Sequence, residues 1–138
     1  MIDSVLGLSK YHEGFRPHPY TCTAGKVTVG YGRNLDDVGL DETEATYLLE
    51  RDIERARAVL RLEPYWIGLG EVRQAVLLDM AVNLGLAGLA RFKQMRVALT
   101  AGDYMRAAAE MVDSLWYRQV GERSRRLVKM MRTGEWPG

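Results

Sequence analysis

The sequence predicts a mostly α protein of the α+β class, folded as one domain. Three observations predict it. Apolar residues recur at three- and four-residue steps along most of the chain. Only the stretch from 14 to 41 breaks that rhythm, with Pro, Gly and a short alternating pattern. The 138 residues, 47% hydrophobic and 27% charged, are enough for one buried core without disulfides or metal.

The first helix spans 3–13. Asp3 or Ser4 caps it, Val5, Leu6 and Leu8 supply apolar bulk, and Gly14 stops it. Pro17 and Pro19 break any helix, after which Tyr20 to Thr23, an Ala24-Gly25 turn and Lys26 to Tyr31 alternate as a two-stranded hairpin. Val27, Val29 and Tyr31 share one face, Thr28 and Gly30 the other. Gly30 and Gly32 flank Tyr31, and glycines so closely spaced signal positive backbone angles or something approaching the backbone. A two-stranded hairpin is marginal alone, so it leans on helices or on a ligand.

Asp41 and Glu44 form a capping-box start for a long helix over 42–62, with Ala45, Leu48, Leu49, Ile53, Ala56, Val59 and Leu60 on its apolar side. Its Glu50, Arg51, Glu54, Arg55 and Arg57 read as a solvated face with helix-spaced ion pairs. After Pro64, residues 71–84 are apolar nearly all round, as a buried central helix is. Asn83 at its end is the exception, expected to be buried and tied by hydrogen bonds. Gly85 and Gly88 turn the chain. Helices follow at 89–100, at 104–112 with Asp103 as N-cap, and at 122–133 before Gly134. Met95, Met105, Met111, Met130 and Met131 read as adaptable core filling.

Charge and composition exclude several function classes. A net charge of +1 argues against general nucleic-acid binding, although 8 basic and 11 acidic groups precede residue 64 and 11 and 7 follow it. The basic excess gathers in Arg123, Arg125, Arg126, Lys129 and Arg132, a solvated helix face or an anion-binding one. A lone cysteine makes no internal disulfide. The N-terminus has neither basic leader nor apolar core, and no apolar run of about 18 residues is evident, so synthesis in the cytoplasm without stable membrane insertion is expected. GKVTVGYG lacks the order of a phosphate loop, and with only His12 and His18, both read as exposed, neither metal nor cofactor is expected. Cys22 with one of these histidines is a weak papain-like pairing, because no downstream His and Asn complete it.

What remains is Glu13, Cys22 and Thr28, in the run E-GFRPHPYT-C-TAGKV-T. This spacing resembles the catalytic signature of bacteriophage lysozymes of the T-even type, glycoside hydrolase family 24: Glu, eight residues, Asp or Cys, five residues, Thr. YLLERDIERARAVLR is similar to that family's long interlobe helix, VRQAVLLDMAVNLGLAGLARF to its central helix, and SLWYRQVGERSRRLVKMMRTGEW to its C-terminal segment. The resemblance implies a lysozyme-like fold: a hairpin lobe over about 14–41, the interlobe helix over about 42–62, and a helical lobe over about 64–138 joined by the N-terminal helix 3–13. The stretch from Arg33 to Asp41 is read as too short for a third strand.

The activity implied is hydrolysis of the β-1,4 bond between N-acetylmuramic acid and N-acetylglucosamine in peptidoglycan. Such a reaction needs a proton for the leaving oxygen and a group on the opposite sugar face. Glu13 matches the acid, whose proton must persist near neutral pH. Arg123 aligns with an arginine paired to that acid, which would oppose such a shift. Tyr31, Asn34, Asn83 and Trp116 match substrate-binding positions. Cys22 departs from the Asp-bearing members, since an ordinary thiol is a poorer fixed negative charge. Either Cys22 and Thr28 hold a water and configuration inverts, the favoured reading, or a Cys22 thiolate attacks and configuration is retained; burial as a small core residue is the bland alternative. The expected setting is a monomeric endolysin reaching the wall from the host cytoplasm with the help of a holin. A wall-penetrating tail or prophage lysozyme, a non-catalytic peptidoglycan-binding module and a basic-helix nucleic-acid binder are the alternatives.

Overall fold

Local sequence signals account for most of the elements. A computed structural model describes all 138 residues and divides into two compact units, Met1–Tyr47 and Leu48–Gly138.

In the first unit, α1 (Val5–Glu13) starts where the Ser4 hydroxyl accepts from the Gly7 amide at 3.0 Å and stops at Gly14, φ 69°. Its apolar side chains stay outside: Val5 is 79% exposed and no residue of α1 is buried.

The sheet has three strands rather than two. β1 (Arg16–Thr21), β2 (Val27–Gly30) and β3 (Arg33–Asn34) lie in that order, all antiparallel. Gly30 and Gly32, both at φ 70°, reverse the chain so tightly that two residues suffice for pairing, Thr28 opposite Asn34 and Val29 opposite Arg33. β1 includes both prolines because it is an edge strand, and its register slips between Arg16 and Tyr20. The expected alternation of faces holds, but the face turned inward is the polar one: Thr28 is 3% exposed, whereas Val27 is exposed.

Polar bonds then carry the chain from β3 to α2 (Glu42–Leu60). The Val27 amide donates to Asp36 at 2.8 Å, and Arg33 donates to Gly39 O at 3.1 Å and pairs with Glu44. Glu44 closes the capping box, accepting from the Asp41 amide at 3.0 Å while its own amide donates to Asp41 at 2.8 Å. The outer face of α2 carries the pairs Arg57–Glu54 and Arg55–Asp52 at 3.2 and 3.5 Å, both exposed and each worth little.

In the second unit, α3 (Trp66–Ala90) is broken at Gly70 and Gly85, φ 75° and 77°, leaving the expected helix at 71–84 as its middle. By length and composition α3 is apolar enough to cross a membrane, which corrects the expectation that no such run exists. Here its middle instead packs against α7 (Glu122–Thr133) and buries Val76, Leu77 and Met80 completely. α4 (Lys93–Thr100) begins later than expected, after a turn at Arg91 and Phe92. α5 (Tyr104–Val112) has Asp103 as its cap, accepting from the Arg106 amide at 3.0 Å. α6 (Leu115–Val120), capped by Ser114, is a helix not foreseen from the sequence. The fully buried Ser124 hydroxyl lies 2.9 Å from Tyr117 O and 2.7 Å from Gly121 O, joining α6 to α7. Met95, Met111, Met130 and Met131 fill the core as expected, while Met105 is 64% exposed.

Candidate active site

Glu13 is the last residue of α1, exposed, and Gly14 turns the chain away immediately after it. Its carboxyl lies on the β2–β3 reversal: a Cβ placed on Gly32 would overlap Glu13 Oε2 and come within 2.7 Å of Glu13 Cδ. Tyr31, half exposed at the same reversal, packs its ring against Phe15 at 5.6 Å, and Lys10 Nζ lies 5.4 Å from that ring.

Cys22 sits in the loop between β1 and β2. Its amide donates to Lys26 O at 2.9 Å and its carbonyl accepts from the Gly25 amide at 2.9 Å, closing a tight loop. The thiol is half exposed rather than a core residue, and it ionises below the usual thiol range. The main cause is the backbone N–H of Lys26, then that of Ala24, with burial opposing and the Thr28 hydroxyl adding a smaller stabilisation. Thr28 Oγ1 lies 3.0 Å from Lys26 O. Cys22 and Thr28 are thus both organised by the backbone of one residue, Lys26.

Asn34 is committed to its own loop, accepting from the Asp37 amide and donating to Asp37 Oδ2, both at 3.0 Å. Glu13, Cys22, Thr28, Tyr31 and Asn34 all belong to the first compact unit, and Asn83, Trp116 and Arg123 to the second.

Asn83 is exposed, not buried, and its partner is a side chain: Trp116 Nε1 donates to Asn83 Oδ1 at 2.8 Å. Gly85, just beyond, breaks the helix and leaves Asn83 at an open end. The buried Trp116 ring meets Phe92 edge to face at 6.0 Å. These three residues line an open cavity of about 810 Å³ in the helical unit, together with Glu110, Asp113 and Gln119.

Arg123 has a partner that sequence reasoning missed. It donates to Asp79 Oδ2 from Nε at 2.9 Å and to Oδ1 from Nη2 at 3.0 Å. The available signal was an acid inside the apolar run 71–84. Arg125 pairs with Glu122 at 2.9 Å, so two arginines of the basic cluster are already compensated.

A helix-end acid seated on a small sheet, with a helical unit following, is the layout of a lysozyme-type glycoside hydrolase. Residues 10–134 match the family described as phage lysozyme, and the chain belongs to that family. It is by class a glycoside hydrolase, of peptidoglycan. Over 95% of its length it is 29% identical to the pre-baseplate central spike protein Gp5 of Enterobacteria phage T4, of which it spans 28%. It is 24% identical to the probable T4-type lysozyme 1 of Dictyostelium discoideum, covering 97% of this chain and 96% of that one. It is 30% identical, over 78% of its length and 74% of the relative's, to an endolysin of Acyrthosiphon pisum secondary endosymbiont phage 1.

Proposed function

We propose that this chain cleaves the β-1,4 bond between N-acetylmuramic acid and N-acetylglucosamine with inversion, Glu13 giving the proton and Cys22 with Thr28 holding the water. The observation that carries the reading is the different setting of the two groups. Glu13 stands exposed at a helix end with its carboxyl against the β2–β3 reversal, whereas Cys22 and Thr28 share the Lys26 backbone.

The glycosidic C–O bond breaks as Glu13 protonates the leaving oxygen, and the water oxygen bonds to the anomeric carbon from the opposite face. The water's proton passes to the Cys22 thiolate, so the cycle ends with an ionised Glu13 and a neutral thiol that exchange protons with solvent. Glu13 must be protonated while Cys22 is ionised, and two features favour that pairing. Backbone N–H groups lower the Cys22 pKa, and bound sugar excludes water from Glu13, disfavouring its charged form.

Trp116, held by Asn83, offers a sugar-facing wall in the cavity of the helical unit, and Tyr31 offers an exposed ring. Asn34 acts on substrate through the loop it braces. As an endolysin the protein meets its substrate after a holin opens the host membrane. The likeness to the Gp5 spike protein favours a second reading, a lysozyme used during infection, and detection of the chain in purified virus particles would select it.

The deciding experiment is Glu13→Gln on purified peptidoglycan with a reducing-end assay. Loss of activity with an unchanged melting curve is expected, and near-wild-type release would remove Glu13 from the reaction. Proton NMR of freshly released ends should show the α-anomer, and an initial β-anomer would overturn inversion.

A further inference from the structure

Gly30 and Gly32 bracket Tyr31 at one chain reversal with the same backbone angle, φ 70°, so any other residue at either site carries a similar conformational penalty. They differ in what surrounds them. Nothing lies within 4 Å of a Cβ built on Gly30, whereas a Cβ on Gly32 would overlap Glu13 Oε2 and stand 2.7 Å from Cδ and 3.3 Å from Cγ of the same side chain. The reversal accounts for glycine at both positions, but only at Gly32 is the missing side chain itself used. Its space is filled by the carboxyl of Glu13.

We infer that Gly32 is a positioning residue for the acid, its bare Cα forming the seat on which the Glu13 carboxyl rests. The inference rests on Glu13 being the proton donor. No ion pair holds Glu13 in place, so its orientation is set by shape. The seat is braced from both sides of the acid in sequence: Lys10, one turn before Glu13, lies over the Tyr31 ring, and Phe15, two residues after it, packs on that ring. Both link the segment carrying the acid to the reversal carrying Gly32. A general acid must sit within hydrogen-bond reach of the leaving oxygen, so a methyl group in the seat displaces the proton without touching the sugar.

The matched glycines provide their own control. Glu13→Gln, Gly30→Ala, Gly32→Ala, Glu13→Asp and the double variants Glu13→Asp/Gly30→Ala and Glu13→Asp/Gly32→Ala are assayed for reducing-end release from purified peptidoglycan, with melting curves for each. Gly30→Ala and Gly32→Ala should lower the melting temperature alike. Gly32→Ala alone should cut kcat by a further factor of about 100 with little change in KM, the cost of moving a reacting group by about 1 Å. In the Glu13→Asp background the shorter acid clears the added methyl, so Gly32→Ala should cost no more than Gly30→Ala does. Equal kcat losses for the two glycine variants, or an undiminished Gly32→Ala loss in the Asp background, overturn the seat while leaving Glu13 as the acid. An active Glu13→Gln overturns both. If Gly32→Ala fails to fold where Gly30→Ala folds, recovery of folding in Glu13→Ala/Gly32→Ala upholds the collision and continued failure refutes it.

Discussion

Arg123 grips Asp79 with two parallel hydrogen bonds of 2.9 and 3.0 Å and donates a third, 3.2 Å long, to the Asp79 carbonyl oxygen. The start of α7 is thereby tied to the middle of α3 by a charge pair whose members are each about two-fifths exposed. A forked arginine has better geometry than an ordinary surface pair, but water screens it at this exposure. Asp79→Ala should therefore cost about 1 kcal/mol in denaturant unfolding, with the loss shrinking at high salt. A salt-independent loss of several kcal/mol would show that Asp79 acts through packing instead.

Cys22 provides a test at the other end of the chain. Its thiol ionises more readily in the folded protein than in the unfolded chain, because the Lys26 and Ala24 amides stabilise the thiolate. The alkylation rate with iodoacetamide should therefore rise with pH at a midpoint below that of an ordinary thiol. Between the folded and unfolded pKa values the unfolded chain binds more protons, so folding gains stability as pH rises. That gain is fully present above the unfolded value and lost as pH falls through the folded one. The stability difference between the native protein and Cys22→Ser should follow this course, and a difference independent of pH would refute it.

The same residue separates water-holding from packing. Cys22→Asp should retain peptidoglycan hydrolysis, since a carboxylate accepts the water's proton as a thiolate does, whereas Cys22→Ala should lose it. Equal activity in the two variants would leave Cys22 no part in the chemistry.

At the C-terminal end of α7, Arg73 donates to Met131 O at 2.7 Å and to Arg132 O at 3.1 Å, and its guanidinium stacks 4.0 Å from the Tyr104 ring centre. These carbonyls end the helix and have no partner within it. Gly134, at φ 70°, leaves room for this arrangement, since a Cβ there would stand 2.9 Å from Arg73 Nη1. Gly134→Ala should destabilise by about 1–2 kcal/mol, from the left-handed backbone and the displaced arginine together. Its effect should fall in an Arg73→Ala background, as a double-mutant cycle by thermal unfolding would read.

Trp116 should depend on Asn83. Trp116→Phe removes the N–H that Asn83 accepts and leaves the ring packed on Phe92, so a stability loss of about 1 kcal/mol is expected. Under the proposed sugar-facing role KM should rise while kcat changes little. Unchanged KM in both Trp116→Phe and Asn83→Ala would confine the pair to structure.

The sequence by itself determined the elements whose signals are local. Asp41 and Glu44 announced the start of α2, Asp103 that of α5, and Gly134 the end of α7, because a cap acts on amides or carbonyls within one turn. It also brought Glu13, Cys22 and Thr28 forward as one constellation and marked Gly30 and Gly32 as unusual. Tertiary structure decided what depends on residues far apart in the chain or on which side of an element faces inward. The third strand forms because two glycines fold Arg33 and Asn34 back onto β2, and it is the Thr28 side of β2, not the Val27 side, that the fold buries. Asp79 acquires its partner only because α7 brings Arg123 to it across 44 residues. The two glycines looked equivalent for the same reason: their φ is a local property they share, whereas the space beside each Cα is set by the fold, and only Gly32 has the end of α1 above it.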